Sequence, residues 1–557
     1  MAADQDPATL AELAAQVSFA VDPDGGVDPA AAAREYLRRV LALDAAARIG
    51  FDGEAEALPA TALASVQASR LTDTSVVRFK QEHAAIPVFG SHMVVEVDAG
   101  GRLVAVDAEV ATAIEVATVP TIDAATAAAA IATLAGVDAA AVHGSARLEL
   151  FQGDEDSDGV PDAWHLVWHF VDVPVAPRDA GHVHPKGHGC SPRRSQPVFD
   201  YLVDAHDGAV VFHHSKTPRA RAEALVMPAR CTGLDESGVV QEFYGEATDG
   251  GFSLIDPLRR TRTLDLAGGD IGKPRLPKQA IEHVSADFGA DHRAAVTAHV
   301  NVGKVLDFFK SVLMRDSVDD RGMEIVSVVN CVAVEDEAPP TWTNAIWWNN
   351  RMWYGQRVAP DGRMRSIAVA LELVGHELTH GIIERTSDLI YKGMSGALNE
   401  SFADILGVIC ANWYGAGPDA VDRWSWQFGA ELWDDWKPMR DLQDPRRTGD
   451  PDHMKDYLKT REDEGGVHTN SNIHNKAAYN LLTAREADGA TSLTSREVAV
   501  LYYLCLVRLP QRATFARTLR GLLDVARQYF KGDAALMQRK LRAIEAAYAK
   551  VGISSED

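Results

Sequence analysis

The sequence predicts a multidomain α+β protein, in which mixed helices and strands come first and a mainly helical part comes last. The chain has 557 residues, which is too long for one hydrophobic core. Strand-like alternation dominates between residues 75 and 214, with hairpin signals such as Asp207-Gly208 between apolar runs. Residues 376–555 instead follow mainly the helical period.

Five consecutive segments are expected along the chain. An amphipathic helical stretch and at least two strands form the first (residues 1–120), and a helix followed by strands forms the second (121–214). Residues 215–235 hold two Pro and three Arg without periodicity, which indicates an exposed linker. A β-rich segment (236–375) and a helical segment (376–557) complete the chain.

The composition excludes some classes of partner. The net charge of −24 argues against a nucleic-acid surface and against anionic membranes. No run of about eighteen apolar residues occurs, so no membrane span is predicted. We expect a monomer without nucleic-acid or membrane partners.

The segment His376-Glu-Leu-Thr-His380 carries the strongest chemical signal. It lies in the apolar run LELVGHELTHGII, which indicates a helix, so the two imidazoles project from one face. Two histidines and one carboxylate leave a fourth zinc position open for water, and Glu377 lies where it can take that water's proton. The alternative is a surface helix with two solvated histidines.

The downstream segment GALNESFAD favours the zinc site. It begins a second predicted helix, in which Glu400 and Asp404 are four residues apart and face the same way. Glu400 is the natural third ligand. Asp404 is placed to accept the outward N–H of a ligand histidine.

Three further segments could complete a catalytic site. The aromatic stretch 344–355 has strand character and could pair with an extended peptide as an edge strand, or be an ordinary buried strand. Arg440 could hold a carbonyl oxygen by a forked contact. Asp463 could orient His468 across a Gly-Gly loop, so that the histidine stabilises an oxyanion. A solvated loop residue is the alternative in each case.

An acidic loop between two predicted strands has the spacing of calcium ligands. The four carboxylates are Asp154, Asp156, Asp158 and Asp162. His165 stands where a bidentate Glu is expected, so a solvated acidic loop is the alternative to Ca²⁺ binding.

Together these residues resemble the thermolysin-like (bacillolysin) neutral metallopeptidases, over about residues 236–555. HELTH followed after nineteen residues by the Glu of GALNESFAD is that family's pattern. NAIWWNNRMWYG resembles its substrate strand, and DEGGVHTNSNIHNKAAY resembles its DxGGVHxNSGIxNKAFY segment. Zinc aminopeptidases have one residue fewer between His and Glu, and carry a GAMEN-type segment that is absent from this sequence.

The resemblance implies a role for each matching residue. The implied zinc ligands are His376, His380 and Glu400, with Glu377 as general base and with His468 and Tyr391 as donors to the oxyanion. Asp463 would orient His468, and Asp404 and Asn399 would support the zinc ligands. Implied substrate contacts are Asn344, Ala345 and Trp347 in the strand, Arg440 on the primed side, and Leu373, Phe428 and Met439 around a pocket.

The implied activity is that of a zinc-dependent endopeptidase made as a zymogen. It would use Glu-assisted attack of a zinc-bound water and prefer a bulky hydrophobic residue on the primed side of the scissile bond. Residues 1–214 resemble the family's propeptide, a fungalysin/thermolysin-type part followed by a cystatin-like part, with cleavage expected within 215–235. The expected partners are protein or peptide substrates and the chain's own propeptide.

Two departures from the family pattern remain. At the positions of the family's paired calcium site the chain has Glu372, Ala411, Ser425, Gln427 and Ala430, so that site is expected to be lost. The family is exported, but the acidic N-terminus lacks the pattern of a secretory signal. Extracellular action is therefore expected from the resemblance, and cytoplasmic action is the alternative. A non-catalytic or permanently masked zinc protein, or an intracellular peptidase with one dedicated partner, are the rival functions.

Overall fold

The computed structural model describes most of the chain and confirms the α+β fold class. The described residues are 27–47, 59–107, 110–111, 114–135, 146–153, 163–174, 198–216, 228–432 and 437–555, with the single positions Val137 and Val142.

The first part of the chain builds one eight-stranded sheet with two helices. Its elements are α1 (Pro29–Ala47), β1 (Ala60–Ser69), β2 (Thr74–His83), β3 (Ile86–Asp98), β4 (Leu103–Asp107), α2 (Ala124–Ala135), β5 (Arg147–Gln152), β6 (Trp164–Pro174), β7 (Val198–Asp204) and β8 (Val210–Lys216). The strand order is β1-β2-β3-β5-β6-β7-β8, with β4 paired to β3. Neighbouring strands are antiparallel except β3 and β5. Helix α1 buries Tyr36 and Leu37 against Phe79 and Val95 of the sheet.

The second part contains smaller sheets around one long helix. Its elements are β9 (Pro228–Leu234), β10 (Val240–Thr248), β11 (Gly251–Ser253), β12 (Ile255–Asp256), β13 (Thr261–Asp265), β14 (Glu282–His283), α3 (Arg293–Val312), β15 (Ile325–Val329), β16 (Ala345–Trp348), β17 (Arg351–Tyr354), β18 (Gln356–Val358) and β19 (Met364–Ser366). The sheet orders are β14-β11-β10-β9, β12-β13-β15-β17-β16 and β18-β19. Strand β16 is therefore the terminal strand of its sheet, and its side chains are mostly buried.

The C-terminal end of the segment predicted as a linker, residues 215–235, contains a strand. Residues 228–234 form β9, which pairs with β10 from Pro228–Glu246 to Leu234–Val240. Cys231 in this strand is only 3% exposed and belongs to the main core. The strand's Pro and Arg residues hide its alternation in the sequence, and pairing with β10 overrides that weak local pattern.

The last part is mainly helical. Its elements are α4 (Leu371–Glu384), α5 (Gly393–Tyr414), β20 (Gln427–Phe428), β21 (Arg440–Asp441), α6 (Asp463–Leu482), α7 (Ser495–Leu506), α8 (Phe515–Tyr529) and α9 (Ala534–Ala549). The predicted boundary at residues 375/376 lies inside α4, which begins five residues before the histidine motif. One hydrophobic core runs from α3 through α4 and α5 to α9. Among the described helices, none combines the length and the apolar composition of a membrane span.

The first sheet docks on the helical part through hydrogen bonds and apolar contacts. Arg78 of β2 is 4% exposed and donates to the carbonyl oxygens of Leu509 at 2.9 Å and Val507 at 2.5 Å. Phe89 and Phe151 form an apolar cluster with Ile390, which directly precedes Tyr391. The sheet therefore contacts the chain next to one of the predicted catalytic residues.

Candidate metal centre and active site

Helices α4 and α5 cross at unusually close range. A Cβ atom on Gly375 would lie 2.9 Å from the Cα of Gly407, and one on Gly407 would overlap the carbonyl oxygen of Glu372. Only glycine permits this approach. The crossing brings His376 and His380 of α4 against Glu400 of α5.

Three donor atoms converge at the crossing. One ligand atom comes from each of His376, His380 and Glu400, and the three atoms lie within 4.8 Å of one another. No other cluster of three or more potential metal ligands occurs in the described part of the chain. The Nε2 atoms of the two histidines are 2.9 Å apart. Glu400 is fully buried, with its oxygens 3.6 Å from Nε2 of His376 and 3.5 Å from Nε2 of His380.

The protonation of these donors fits a bound cation. Nδ1 of His376 donates to Asp404 at 2.9 Å, and Nδ1 of His380 donates to the side-chain oxygen of Asn399 at 2.8 Å. Burial and the neighbouring His376 lower the pKa of His380 to about 4, so the ring is neutral. The Nε2 atoms of His376 and His380 face each other and a buried carboxylate, whose Oε2 has no hydrogen-bond partner among the described residues. A nitrogen–nitrogen–oxygen set of this kind suits Zn²⁺.

Asp404 is the hydrogen-bonding centre behind His376. It is fully buried and accepts from Arg440 at 2.7 Å and 2.6 Å as well as from His376. Burial opposes its charge, but Arg440 and His376 hold the pKa of Asp404 well below its usual range. The forked contact that the sequence assigned to a substrate carbonyl is thus made with Asp404.

Asn475 completes this group and was not predicted. Its side-chain N–H donates to Asp404 at 2.8 Å across 71 positions of sequence. Asn475 lies within DEGGVHTNSNIHNKAAY, the segment that resembles the family pattern. That resemblance was the only feature of the sequence that pointed to Asn475.

Glu377 projects from helix α4 towards the edge strand β16. It is 3% exposed, and its carboxylate accepts the backbone N–H of Trp347 in β16 at 2.7 Å. The indole of Trp347 packs on Gly381 of α4 and donates to Glu384 at 3.2 Å. The side chain of Trp347 is therefore used in packing, and its backbone is what meets Glu377.

Tyr391 and His468 meet at Glu400. The Tyr391 hydroxyl donates to Glu400 at 2.5 Å and is 3.2 Å from Nε2 of His468. Nδ1 of His468 is 2.7 Å from Asp463. Burial acts against a charge here, but Glu400 and Asp463 raise the pKa of His468 to about 9.

The turn at the start of α6 sets the position of His468. Residues 463–466 all have positive φ, between 49° and 90°, and Gly465 would otherwise place a Cβ 3.0 Å from Gly393. This left-handed run lets Asp463 fold back onto His468, and two of its four positions are the glycines seen in the sequence.

The predicted substrate residues lie around these groups. The ring of Phe428 is 5.2 Å from that of His376, and Arg440 lies over Phe428 at 4.4 Å. Met439 donates its backbone N–H to Phe428 at 2.9 Å, and Leu373 belongs to the same core on α4. At the start of β16, the Asn344 side chain accepts the backbone N–H of Ala345 at 2.9 Å. The four predicted calcium ligands, Asp154, Asp156, Asp158 and Asp162, lie outside the described residues.

Comparison with known protein families shows which family this chain belongs to. Residues 230–384 match the family model for the thermolysin metallopeptidase catalytic domain, and residues 387–553 match that for its alpha-helical domain. Together these matches cover more than half of the chain. The chain belongs to the thermolysin family of metallopeptidases. Its residues 65–110 match the fungalysin/thermolysin propeptide motif.

Individual relatives of this thermolysin-family chain are proteases. Bacillolysin from Bacillus cereus is 26% identical over 538 residues, which are 90% of this chain and 86% of that protein. Neutral protease NprE from Bacillus pumilus is 34% identical over 286 residues, which are 50% of this chain and 84% of that protein. Among solved structures, the precursor of protealysin, a metalloproteinase from Serratia proteamaculans, is 27% identical. That match covers 53% of this chain and 87% of that chain, with a TM-score of 0.43.

The thermolysin-family chain is therefore a metallopeptidase with a propeptide, as the sequence resemblance predicted. The two enzyme matches meet between residues 384 and 387, at the end of α4. The catalytic match begins inside β9.

Proposed function

We propose that this metallopeptidase is a zinc endopeptidase made as a zymogen, which cleaves before bulky hydrophobic residues. One observation carries the proposal. Three metal donors, a buried carboxylate and two hydrogen-bond donors converge from α4, α5, α6 and the segment at Tyr391, which are the parts that peptide hydrolysis requires.

His376, His380 and Glu400 are proposed to hold the zinc ion. When bound there, zinc supplies Lewis-acid polarisation of the scissile carbonyl and lowers the pKa of water. Nδ1–H of His376 donates to Asp404 and Nδ1–H of His380 donates to Asn399, so Nε2 of each ring is the atom left to bind the metal.

Glu377 is proposed as the general base. Its carboxylate takes a proton from the attacking water and passes that proton to the leaving amine. The hydrogen bond from the Trp347 backbone holds one carboxylate oxygen, which fixes the direction of the other. The same bond ties the base to the edge of the sheet.

His468 and Tyr391 are proposed to stabilise the developing oxyanion. Both side chains end beside Glu400, and the raised pKa of His468 keeps a proton on its ring at neutral pH. The loss of one such donor typically slows an enzyme by about a hundredfold or more.

The edge strand β16 is proposed to bind the substrate backbone. It is the terminal strand of its sheet, so its outer side can pair with an extended peptide through Asn344 and Ala345. Phe428 beside His376 supports an apolar pocket for the residue after the scissile bond, shared with Leu373 and Met439. Arg440 borders that pocket through its contact with Phe428.

The first 214 residues are proposed to act as the propeptide until cleavage. Since β9 is hydrogen-bonded into the enzyme from residue 228, the cleavage point is proposed to precede that residue. Extracellular action, which the family resemblance implies, is part of this proposal.

Incubation of the full chain with zinc tests the function. We expect N-terminal sequencing to find a new fragment that begins within residues 217–228, together with casein hydrolysis. A zinc chelator should prevent both. A chain that binds zinc yet stays intact and leaves casein uncut would support the masked, non-catalytic alternative.

A peptide series tests the substrate preference. Peptides that differ only in the residue after the scissile bond should show kcat/KM at least about tenfold higher for Leu or Phe than for Gly, since a filled apolar pocket contributes a few kcal/mol. Equal rates would contradict the pocket assigned to Phe428, Leu373 and Met439.

A further inference from the structure

The two oxygens of Asp404 are saturated with hydrogen bonds. Oδ1 accepts from His376 at 2.9 Å and from Nη2 of Arg440 at 2.6 Å. Oδ2 accepts from Nε of Arg440 at 2.7 Å and from Asn475 at 2.8 Å. Arg440 contacts both oxygens of Asp404, and His376 adds a second hydrogen bond to Oδ1. Asn475 supplies the second hydrogen bond to Oδ2.

The contact with Asp404 determines the orientation of Asn475. An ionised carboxylate only accepts, so the amide must present its N–H to Asp404 and its oxygen to the other side. On that side the Ser401 hydroxyl donates to the amide oxygen at 2.7 Å. Because a hydroxyl has one proton, the Ser401 oxygen is left to accept from Nδ1 of His474, at 2.7 Å.

The hydrogen bonds of His474 continue the same donor direction as far as the last helix, α9. With Nδ1 protonated, Nε2 accepts from the hydroxyl of Tyr548 in α9 at 2.7 Å. The ring is fully buried and stacks on Phe515, with 5.8 Å between centroids and 7° between planes. Burial lowers the pKa of His474 to about 3, which is consistent with a neutral ring that donates once and accepts once.

A continuous line of hydrogen bonds therefore joins α9 to the metal centre. It runs from Tyr548 through His474, Ser401 and Asn475 to Asp404, and each donor points towards Asp404. Asn475 and Ser401 are fully buried, so water does not compete for these bonds.

We propose that Asn475 is a positioning residue for the metal ligand His376, acting through Asp404. Ser401, His474 and Tyr548 hold Asn475 in its donating orientation and so connect the C-terminal helix to the metal centre. This inference rests on the proposed zinc site. Loss of a hydrogen-bond partner behind a metal ligand typically weakens metal binding about 10- to 100-fold.

Asn480 offers a matched control for packing alone. It lies on the same helix as Asn475, is also buried, and donates to the Ala547 carbonyl of α9 at 3.3 Å. It has no bond to Asp404 or to Ser401 among the described residues. Asn480→Leu thus removes an α6–α9 hydrogen bond without touching the line to Asp404.

The test measures metal binding by the full chain. Zinc dissociation constants are determined by competition with a chromophoric chelator, and the visible absorption of the Co²⁺-substituted protein reports ligand geometry. Thermal unfolding of the metal-free proteins is recorded in parallel. The variants are Asn475→Leu, Asn480→Leu and His474→Phe, the last of which keeps the ring stack on Phe515 but removes both ring nitrogens.

We expect Asn475→Leu to raise the zinc dissociation constant about 10- to 100-fold and to shift the Co²⁺ spectrum. His474→Phe should change both in the same direction by a smaller factor, and Asn480→Leu should match the wild type. Equal zinc affinity in Asn475→Leu and Asn480→Leu would overturn the proposal. If Asn475→Leu does not fold, wild-type affinity in His474→Phe would overturn it. A wild-type chain that takes up no zinc would instead refute the proposed function, and this inference with it.

Discussion

The carboxylate of Asp463 holds both the ring and the backbone of His468. Its Oδ1 lies 2.7 Å from Nδ1 of the ring, and its Oδ2 accepts the backbone N–H at 3.0 Å. The two contacts close the turn formed by residues 463–468 and direct Nε2 of His468 towards Tyr391 and Glu400. An oxyanion donor fixed in this way needs no rearrangement during reaction.

Asp463→Asn should lower kcat about 10- to 100-fold with little change in KM, because a neutral amide holds the charged imidazole less firmly. Asn is chosen because residue 463 has φ of 51°, which Asn tolerates. Steady-state kinetics on a peptide substrate measure the effect. The control is Glu462→Gln, which changes a neighbouring exposed carboxylate. A similar decrease in kcat for both variants would contradict the orienting role of Asp463.

Glu372 should make stability fall as pH rises. Burial, with a contribution from Glu431, raises the pKa of Glu372 to about 7 from 4.5. The stabilising effect of the protonated form is complete below pH 4.5 and is lost as pH rises through 7. The loss is on the order of 3 kcal/mol.

Glu372→Gln should remove that loss, since the amide still accepts the Gly429 N–H that Glu372 binds at 3.0 Å. Urea unfolding at pH 5 and pH 8 should show a variant that gains stability over the wild type only at pH 8. Glu545→Gln, at an exposed position of α9, serves as the control. An unchanged pH dependence in Glu372→Gln would refute the buried protonated carboxyl.

Arg78 should anchor the propeptide on the enzyme. Its guanidinium is buried against the carbonyl oxygens of Val507 and Leu509, so Arg78→Ala leaves two buried acceptors without that donor. Hydrogen bonds to charged groups contribute about 1.5–3 kcal/mol each. We therefore expect the cleaved propeptide to dissociate at least tenfold faster, as followed by size-exclusion chromatography of the processed protein.

Arg102→Ala is the matched control for Arg78→Ala. The Arg102 side chain is 79% exposed and pairs with Asp98 of its own sheet. This variant should retain the wild-type dissociation rate. If Arg78→Ala and Arg102→Ala release the propeptide equally, the docking role of Arg78 is wrong.

The sequence was informative where function depends on spacing within one helix. His376 and His380, and likewise Glu400 and Asp404, are four residues apart, so their shared faces followed from helix geometry. The α+β fold class and the family were predicted for related reasons. Hydrophobic periodicity and the order of motifs can be read from the sequence without any knowledge of tertiary contacts.

Long-range contacts could not be predicted in the same way. Arg440 reaches Asp404 across 36 positions and Asn475 reaches it across 71. No local pattern encodes such a pairing, since it depends on how β21 and α6 pack beside α5. The pairing of β9 with β10 was missed for the same reason, because strand partners are set by tertiary structure.

The most direct test of the account compares the full-length wild type with Glu377→Gln. Glutamine can still accept the Trp347 N–H but cannot take a proton from water, and general-base catalysis typically contributes about 10²- to 10⁴-fold. Both proteins should bind one zinc ion with the same affinity. The variant should remain uncleaved before residue 228 and should hydrolyse casein at least about a hundredfold more slowly. A Glu377→Gln protein that processes itself and cleaves casein at the wild-type rate would contradict the proposed mechanism.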